Sequence, residues 1–159
     1  MQLEQEIASV IHFILDAVGK PNPYYHSVPE SFETPAVYFP SPEIDTGGET
    51  LLTYRMVFSW YITFHHNTTE DAYAFAHAAL SAIMGRRCLV PLIAEGGEKA
   101  GGYLRVDPPS IKQVDTGVYQ LALTFVSRRP YDAQQAAAVS TGYIMDLYMK
   151  SSGAAQGGG

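Results

Sequence analysis

Charge is scarce in this chain. Asp, Glu, Lys and Arg make up 16% of its 159 residues, against about 25% in an average globular protein. A surface so poor in charge is largely neutral, as in subunits that bury surface against partners. Cysteine is rarer still. The single Cys88 excludes an intrachain disulfide and a cysteine-rich zinc site. Arg86 and Arg87 beside it favour a thiolate, but "RRCLVPLI" reads as the start of a buried apolar strand, so a packed thiol is expected. No apolar run reaches the roughly 20 residues that a membrane span requires. The first residues, "MQLEQEIASV", carry acids where a secretory leader carries positive charge. The expectation is a soluble protein made in a reducing compartment, with no membrane contact.

Catalytic signatures are missing as well. The chain contains no G-x-x-x-x-G-K-[ST] phosphate loop, no G-x-S-x-G nucleophile elbow and no HExxH helix. "EGGEKAGG" (95–102) has the glycines of a phosphate loop without its lysine-hydroxyl ending, and reads as a hairpin loop. Glu43 and Asp45 lie in a Pro- and Gly-rich stretch where nothing holds two carboxyl pKa values apart. His65, His66 and His77 invite a metal reading. Neighbours on a strand point to opposite faces, however, so the adjacent pair cannot chelate one ion. No enzyme activity, cofactor or metal is expected.

What is present is a core. Hydrophobic residues make up 47% of the chain, enough for one folded domain of this length. The charges that exist are unevenly spread. Residues 1–75 hold ten acids against Lys20 and Arg55, a balance of −8, while the remainder balances at +2. That polarity suits head-to-tail stacking of subunits, and the acidic half argues against sequence-specific nucleic-acid binding.

Periodicity predicts the elements. Leu3, Ile7, Val10, Ile11, Ile14, Leu15 and Val18 recur at helical steps over 2–18, and "GKPNP" stops that helix. "YYHSVPESFETP" reads as a turn-rich connector and "AVYFP" (36–40) as a short strand. Residues 41–49, with Pro42 and Gly47–Gly48, read as a flexible exposed loop. From Leu51 to His66 the parity is plain. Leu52, Tyr54, Met56, Phe58, Trp60, Ile62 and Phe64 share one face, and Thr53, Arg55, Val57, Ser59, Tyr61, Thr63 and His65 share the other. One face packs on helices; the other is wet or meets a partner. "NTTEDAYAFAHAALSAIMG" predicts a second helix, N-capped by Asn67 or Thr68 and ended by Gly85. Two further strands follow around the 95–102 loop, then "VYQLALTFVSRR" alternates again. Residues 132–150 read as a last helix and 151–159 as a disordered tail. The predicted class is α+β: an antiparallel sheet of about four strands with helices on one face, in the order α-β-β-α-β-β plus the C-terminal helix.

The whole pattern resembles the tail terminator (head–tail joining) proteins of long-tailed bacteriophages and phage-like particles. An amphipathic helix opens the chain, "ETPAVYFP" is similar to the family's first strand, and "YRMVFSWYITFHH" to its arginine-containing aromatic second strand. "NTTEDAYAFAHAAL" follows as its helix and "LRVDPPSIKQVDTGVYQLALTFVSRR" as its closing meander. The match covers about 3–131, so the domain is set at 1–131. The resemblance implies a virion protein, made in the host cytoplasm, that caps the tail tube as a hexameric ring, stops tube growth and offers a docking surface to the head connector or head-completion protein. The resemblance further implies a lumen that DNA crosses without specific binding. Another connector or tail tube subunit, or a small ligand-binding α+β domain, are the alternatives. Partner contacts are expected of Thr53, Arg55, Ser59, Tyr61, Thr63 and His65 on the strand, of Glu43, Asp45 and Glu49 in the loop, and of Arg86, Arg87, Arg128 and Arg129.

Overall fold

The computed structural model describes residues 3–132; the expected helix at 132–150 and the tail at 151–159 therefore lie outside it, apart from residue 132. Along the chain run α1 (Leu3–Ala17), β1 (Asn22–Tyr25), β2 (Ala36–Phe39), β3 (Glu43–Gly48), β4 (Thr53–His65), α2 (Thr69–Gly85), β5 (Leu89–Ile93), β6 (Lys99–Arg105), β7 (Ser110–Asp115) and β8 (Val118–Pro130). The fold is α+β. One sheet is ordered β1-β2-β4-β8-β7 with β3 added on β4, and β5 and β6 form a separate two-stranded sheet. Pairing is antiparallel in β2–β4, β5–β6 and β7–β8, and parallel in β1–β2. The described residues divide into two compact units, the first 3–44 with 57–126 and the second 45–56 with 127–132, and each is considered by itself.

The first unit holds the core. Phe58, Trp60, Ile62 and Phe64 of β4 are buried, as are Leu121, Leu123 and Phe125 of β8. Each such side chain contributes about 1.5–3 kcal/mol when taken from water. Phe58 and Phe125 stack with centroids 4.8 Å apart. Trp60 reaches Phe39 with its ring and donates its indole N–H to the Pro40 carbonyl, so its polar atom is satisfied inside the core. On α2 the buried stripe is Ala72, Ala76, Ala79 and Ile83; its small residues let the helix approach closely. Thr68 caps that helix by accepting from the Asp71 amide (3.1 Å) and donating to the Asp71 carboxylate (2.8 Å). Cys88 is packed, as its apolar surroundings predicted.

Two polar residues of α1 tie the small sheet to the helix. Ser9 accepts from the Ile93 amide (3.0 Å) and donates to the Gln5 carbonyl (2.6 Å), while the Gln5 amide donates to the Ile93 carbonyl (3.0 Å). Helix side chains thus satisfy the backbone of an edge strand, where an unpaired buried group would cost about 1–3 kcal/mol. Of the expected stripe Leu3, Ile7, Val10, Ile11, Ile14, Leu15 and Val18, the structure buries Val10, Ile14 and Val18. This link adds Glu6 and Ser9 to the buried face, while Ile7, Ile11 and Leu15 are half-buried.

Three segments differ from the sequence expectation. The connector after α1 contains β1, which lies parallel on β2 through Asn22↔Ala36 to Tyr25↔Phe39. The loop expected at 41–49 is largely strand β3, because the adjacent half of β4 offers it a backbone ladder that outweighs the low strand propensity of its glycines. The glycine-rich loop expected at 95–102 shortens to a turn, since β6 begins at Lys99 and carries Gly101 and Gly102 within the hairpin.

The turn between β7 and β8 depends on Gly117. Its φ is +70, and a Cβ there would stand 2.6 Å from the His66 carbonyl oxygen. Its amide donates to Thr69 Oγ1 (3.0 Å) and its carbonyl accepts from the His66 amide (2.9 Å). Both left-handed geometry and backbone crowding demand glycine. Gly117→Ala is expected to lower unfolding free energy by about 2–4 kcal/mol, read as a drop in the urea midpoint at unchanged slope. Ser9→Ala, which leaves the Ile93 amide without its acceptor, is expected to cost about 1–3 kcal/mol in the same measurement, while Ala8→Ser on the exposed face of α1 changes it by less than about 0.5 kcal/mol.

Candidate interface surface

Strand alternation decides which residues of β4 can meet a partner. With Phe58, Trp60, Ile62 and Phe64 turned inward, the opposite parity faces out: Arg55 and Tyr61 are exposed, while Thr53, Ser59, Thr63 and His65 are half-buried. In the first unit, Thr63 and His65 are joined side chain to side chain (Oγ1 to Nε2, 3.0 Å), and the Phe32 ring meets the imidazole edge-on. Burial pushes the His65 pKa below its ordinary 6.5, so the ring is neutral at pH 7. The other histidines have separate neighbours. His66 lies 3.5 Å from the Asp71 carboxylate, and His77 lies beside Ser81 and Tyr73. Among the described residues no three His, Cys, Asp or Glu side chains are placed to hold a metal ion.

Arg86 and Arg87 follow α2 and are exposed. The Arg86 guanidinium lies 5.8 Å from the centre of the Phe13 ring, a cation–π contact that holds its stem against α1. Arg87 and Cys88 both have positive φ, 56 and 61, and they turn the chain sharply from helix into β5.

The second unit is a short, well-fastened piece of structure. Thr50 Oγ1 accepts from the amides of Leu52 (3.1 Å) and Thr53 (2.9 Å) and meets Thr53 Oγ1 at 2.7 Å. That turn raises Leu51 and Leu52 into solvent, 50% and 61% exposed. The Tyr131 amide donates to the Leu52 carbonyl (3.0 Å), and the rings of Tyr131 and Tyr54 lie 5.4 Å apart. Glu49 accepts from Arg128 Nε at 2.8 Å, so two residues expected at a partner surface pair with each other inside the chain. Arg129 donates to Ser127 (3.2 Å). Arg55 lies across Gly47, with Nε 3.5 Å from where a Cβ would stand. Glu43 and Asp45 are exposed on β3.

Taken unit by unit, the first holds Ser59, Tyr61, Thr63 and His65 on the outward face of β4 and the arginine pair after α2, and the second holds the fastened turn at 49–53 with Arg55 and Arg128. The leucines of the turn were missed by sequence reading, which assigned Leu52 to the core parity. The signal was the Thr50-x-x-Thr53 spacing, which builds a hydroxyl-capped turn and ends the alternation before Leu52.

No protein-family model matches the chain. Among curated proteins it is 26% identical over 129 residues to the phage-like element PBSX protein XkdJ of Bacillus subtilis (strain 168), covering 81% of this chain and 88% of that protein. It is 24% identical over 132 residues to uncharacterized protein YqbJ of the same strain, covering 83% and 90%. A solved chain described as "Virion of native gene transfer agent (GTA) particle" gives a TM-score of 0.46 at 18% identity, over 78% of this chain and 93% of that one.

Proposed function

We propose that the chain is a structural, non-catalytic component of a phage-like particle, which caps the tail tube as a ring of identical subunits. In this reading it stops tube polymerisation and offers the head connector its docking surface. The observation that carries it is the similarity to XkdJ, which runs through 81% of the chain and belongs to a protein of a phage-like element. The tail-terminator role itself rests on the resemblance of the ordered helix, strands and closing meander.

The chemistry of the surface agrees with an assembling subunit. Among the described residues ten large apolar or aromatic side chains are substantially exposed, Leu51, Leu52, Tyr61 and Tyr103 among them, in a chain with few charges to keep it apart from its neighbours. A ring requires a heterologous interface, two different patches on each subunit, and the charge, uneven along the sequence, agrees with surfaces of different sign. A wall that DNA must pass without sticking is served by an acidic, base-poor segment, because binding to phosphate grows with each cation it meets.

Mixing the full chain with polymerising tail tube protein from its own particle tests the reading. Rings of about six copies at one tube end, with tubes that stop lengthening, are expected in negative-stain micrographs; free monomers beside tubes of unlimited length would refute it. Arg55→Glu, on the exposed side of β4, is expected to change unfolding free energy by less than about 0.5 kcal/mol while lowering the fraction of capped tubes. An unchanged tube-length distribution would remove Arg55 from the interface.

A further inference from the structure

Within the first unit a cleft of about 420 Å³ opens between α1, α2 and the β5–β6 hairpin. Half-buried Phe13, Pro91 and Ile93 line it together with the exposed cations Arg86 and Lys99. The remaining carboxylate there, Asp16, already has a cation beside it, since it lies 3.6 Å from Lys20 and 3.5 Å from the His12 ring. Neither Arg86 nor Lys99 has a carboxylate partner among the described residues. The cleft thus combines apolar walls with two unneutralised positive charges, and its size falls in the range of built binding sites. Its complement is a short segment that is both acidic and apolar.

One segment of the same chain has those properties. Several acids of the first half are engaged: Glu49 by Arg128, Asp71 by Thr68 and His66, Asp16 as above. On β3, Glu43 and Asp45 are exposed with no ion-pair partner among the described residues, and Ile44 between them is 41% exposed. β3 pairs only with β4, which leaves its other backbone edge open among the described residues. A strand lying along the cleft turns Glu43 and Asp45 to one side and Ile44 to the other. It therefore engages the cations and the apolar walls together.

We propose that the α1–α2–β5 cleft receives strand β3 of a second copy of the chain, with Glu43 and Asp45 facing Arg86 and Lys99. The contact is heterologous, a strand of one subunit in the cleft of the next, so repetition gives a chain of subunits that a suitable rotation closes. This rests on the ring reading above and supplies its two patches.

Charge reversal in full-length protein tests it. Arg86→Glu with Lys99→Glu makes both patches acidic, and Glu43→Lys with Asp45→Lys makes both basic. Each double variant alone is expected to need about tenfold or more protein for half-assembly, by analytical ultracentrifugation, while the equimolar mixture recovers wild-type assembly as alternating copies. Because all four side chains are exposed, circular dichroism is expected to match wild type, and unfolding midpoints to match but for the small loss of the Arg86–Phe13 contact. If a variant fails to fold, a benzophenone side chain at position 44 of otherwise wild-type protein is the second test, with crosslinks expected in peptides holding Arg86 or Lys99. Wild-type rings whose formation neither double variant weakens, or crosslinks that map elsewhere, would overturn the strand-in-cleft contact alone. A wild-type chain that stays monomeric in solution and on tubes would overturn it together with the ring.

Discussion

The stacked rings of Phe58 and Phe125, 4.8 Å apart and within 9° of parallel, set the parity on which the rest of this fold depends. Side chains alternate along a strand, so turning Phe58 inward also turns Trp60, Ile62 and Phe64 inward, and Phe125 does the same for Leu123 and Leu121. A slip of one residue would send this aromatic row into water and bring Arg55 and Tyr61 into the core, at a cost no local compensation could meet. The outward face of β4 is therefore a consequence of the core. Arg55 and Tyr61, its exposed members, are free to serve contacts with other molecules because the core does not use them.

That coupling explains which parts of the structure were legible. Both described helices, the parity of β4 and β8, the Thr68 cap and the packed Cys88 are local or periodic features, and they follow from spacing alone. β1 and β3 escaped because neither carries a periodic apolar pattern. Each is a strand only because a neighbour offers a ladder: β2 for "NPYY" and β4 for "EIDTGG". The buried Ser9 escaped for a related reason. Its place in α1 is decided by the Ile93 backbone 84 positions away, and no window of sequence contains that pairing.

The candidate surface was legible to a smaller degree. Alternation correctly placed Arg55 and Tyr61 on the outside, because exposure on a strand follows from parity. The pairing of Glu49 with Arg128, separated by 79 positions, could not be seen in charge counts, which treat every ion as available. Subtracting such internal pairs changes the picture of where charge can act between molecules. Of the three acids expected at the interface, Glu49 is spent inside the chain, whereas Glu43 and Asp45 have no ion-pair partner among the described residues.

The turn at 49–53 shows how a chain with little charge can still present a defined surface. Leaving Leu51 and Leu52 in water forgoes their burial, about 1.5–3 kcal/mol each when complete, and folding alone gives no return on it. Yet the turn is ordered by Thr50, by the Glu49–Arg128 bridge and by the Tyr131–Leu52 hydrogen bond. Association normally costs about 0.5–1.5 kcal/mol for each side chain it immobilises, and backbone fastening of this kind reduces the ordering left to be done on contact. Two apolar side chains held at a rigid turn keep most of their burial energy for whatever surface meets them. A flexible loop of the same composition would lose much of that energy to ordering, so the three fastenings matter more to association than to the stability of the isolated subunit.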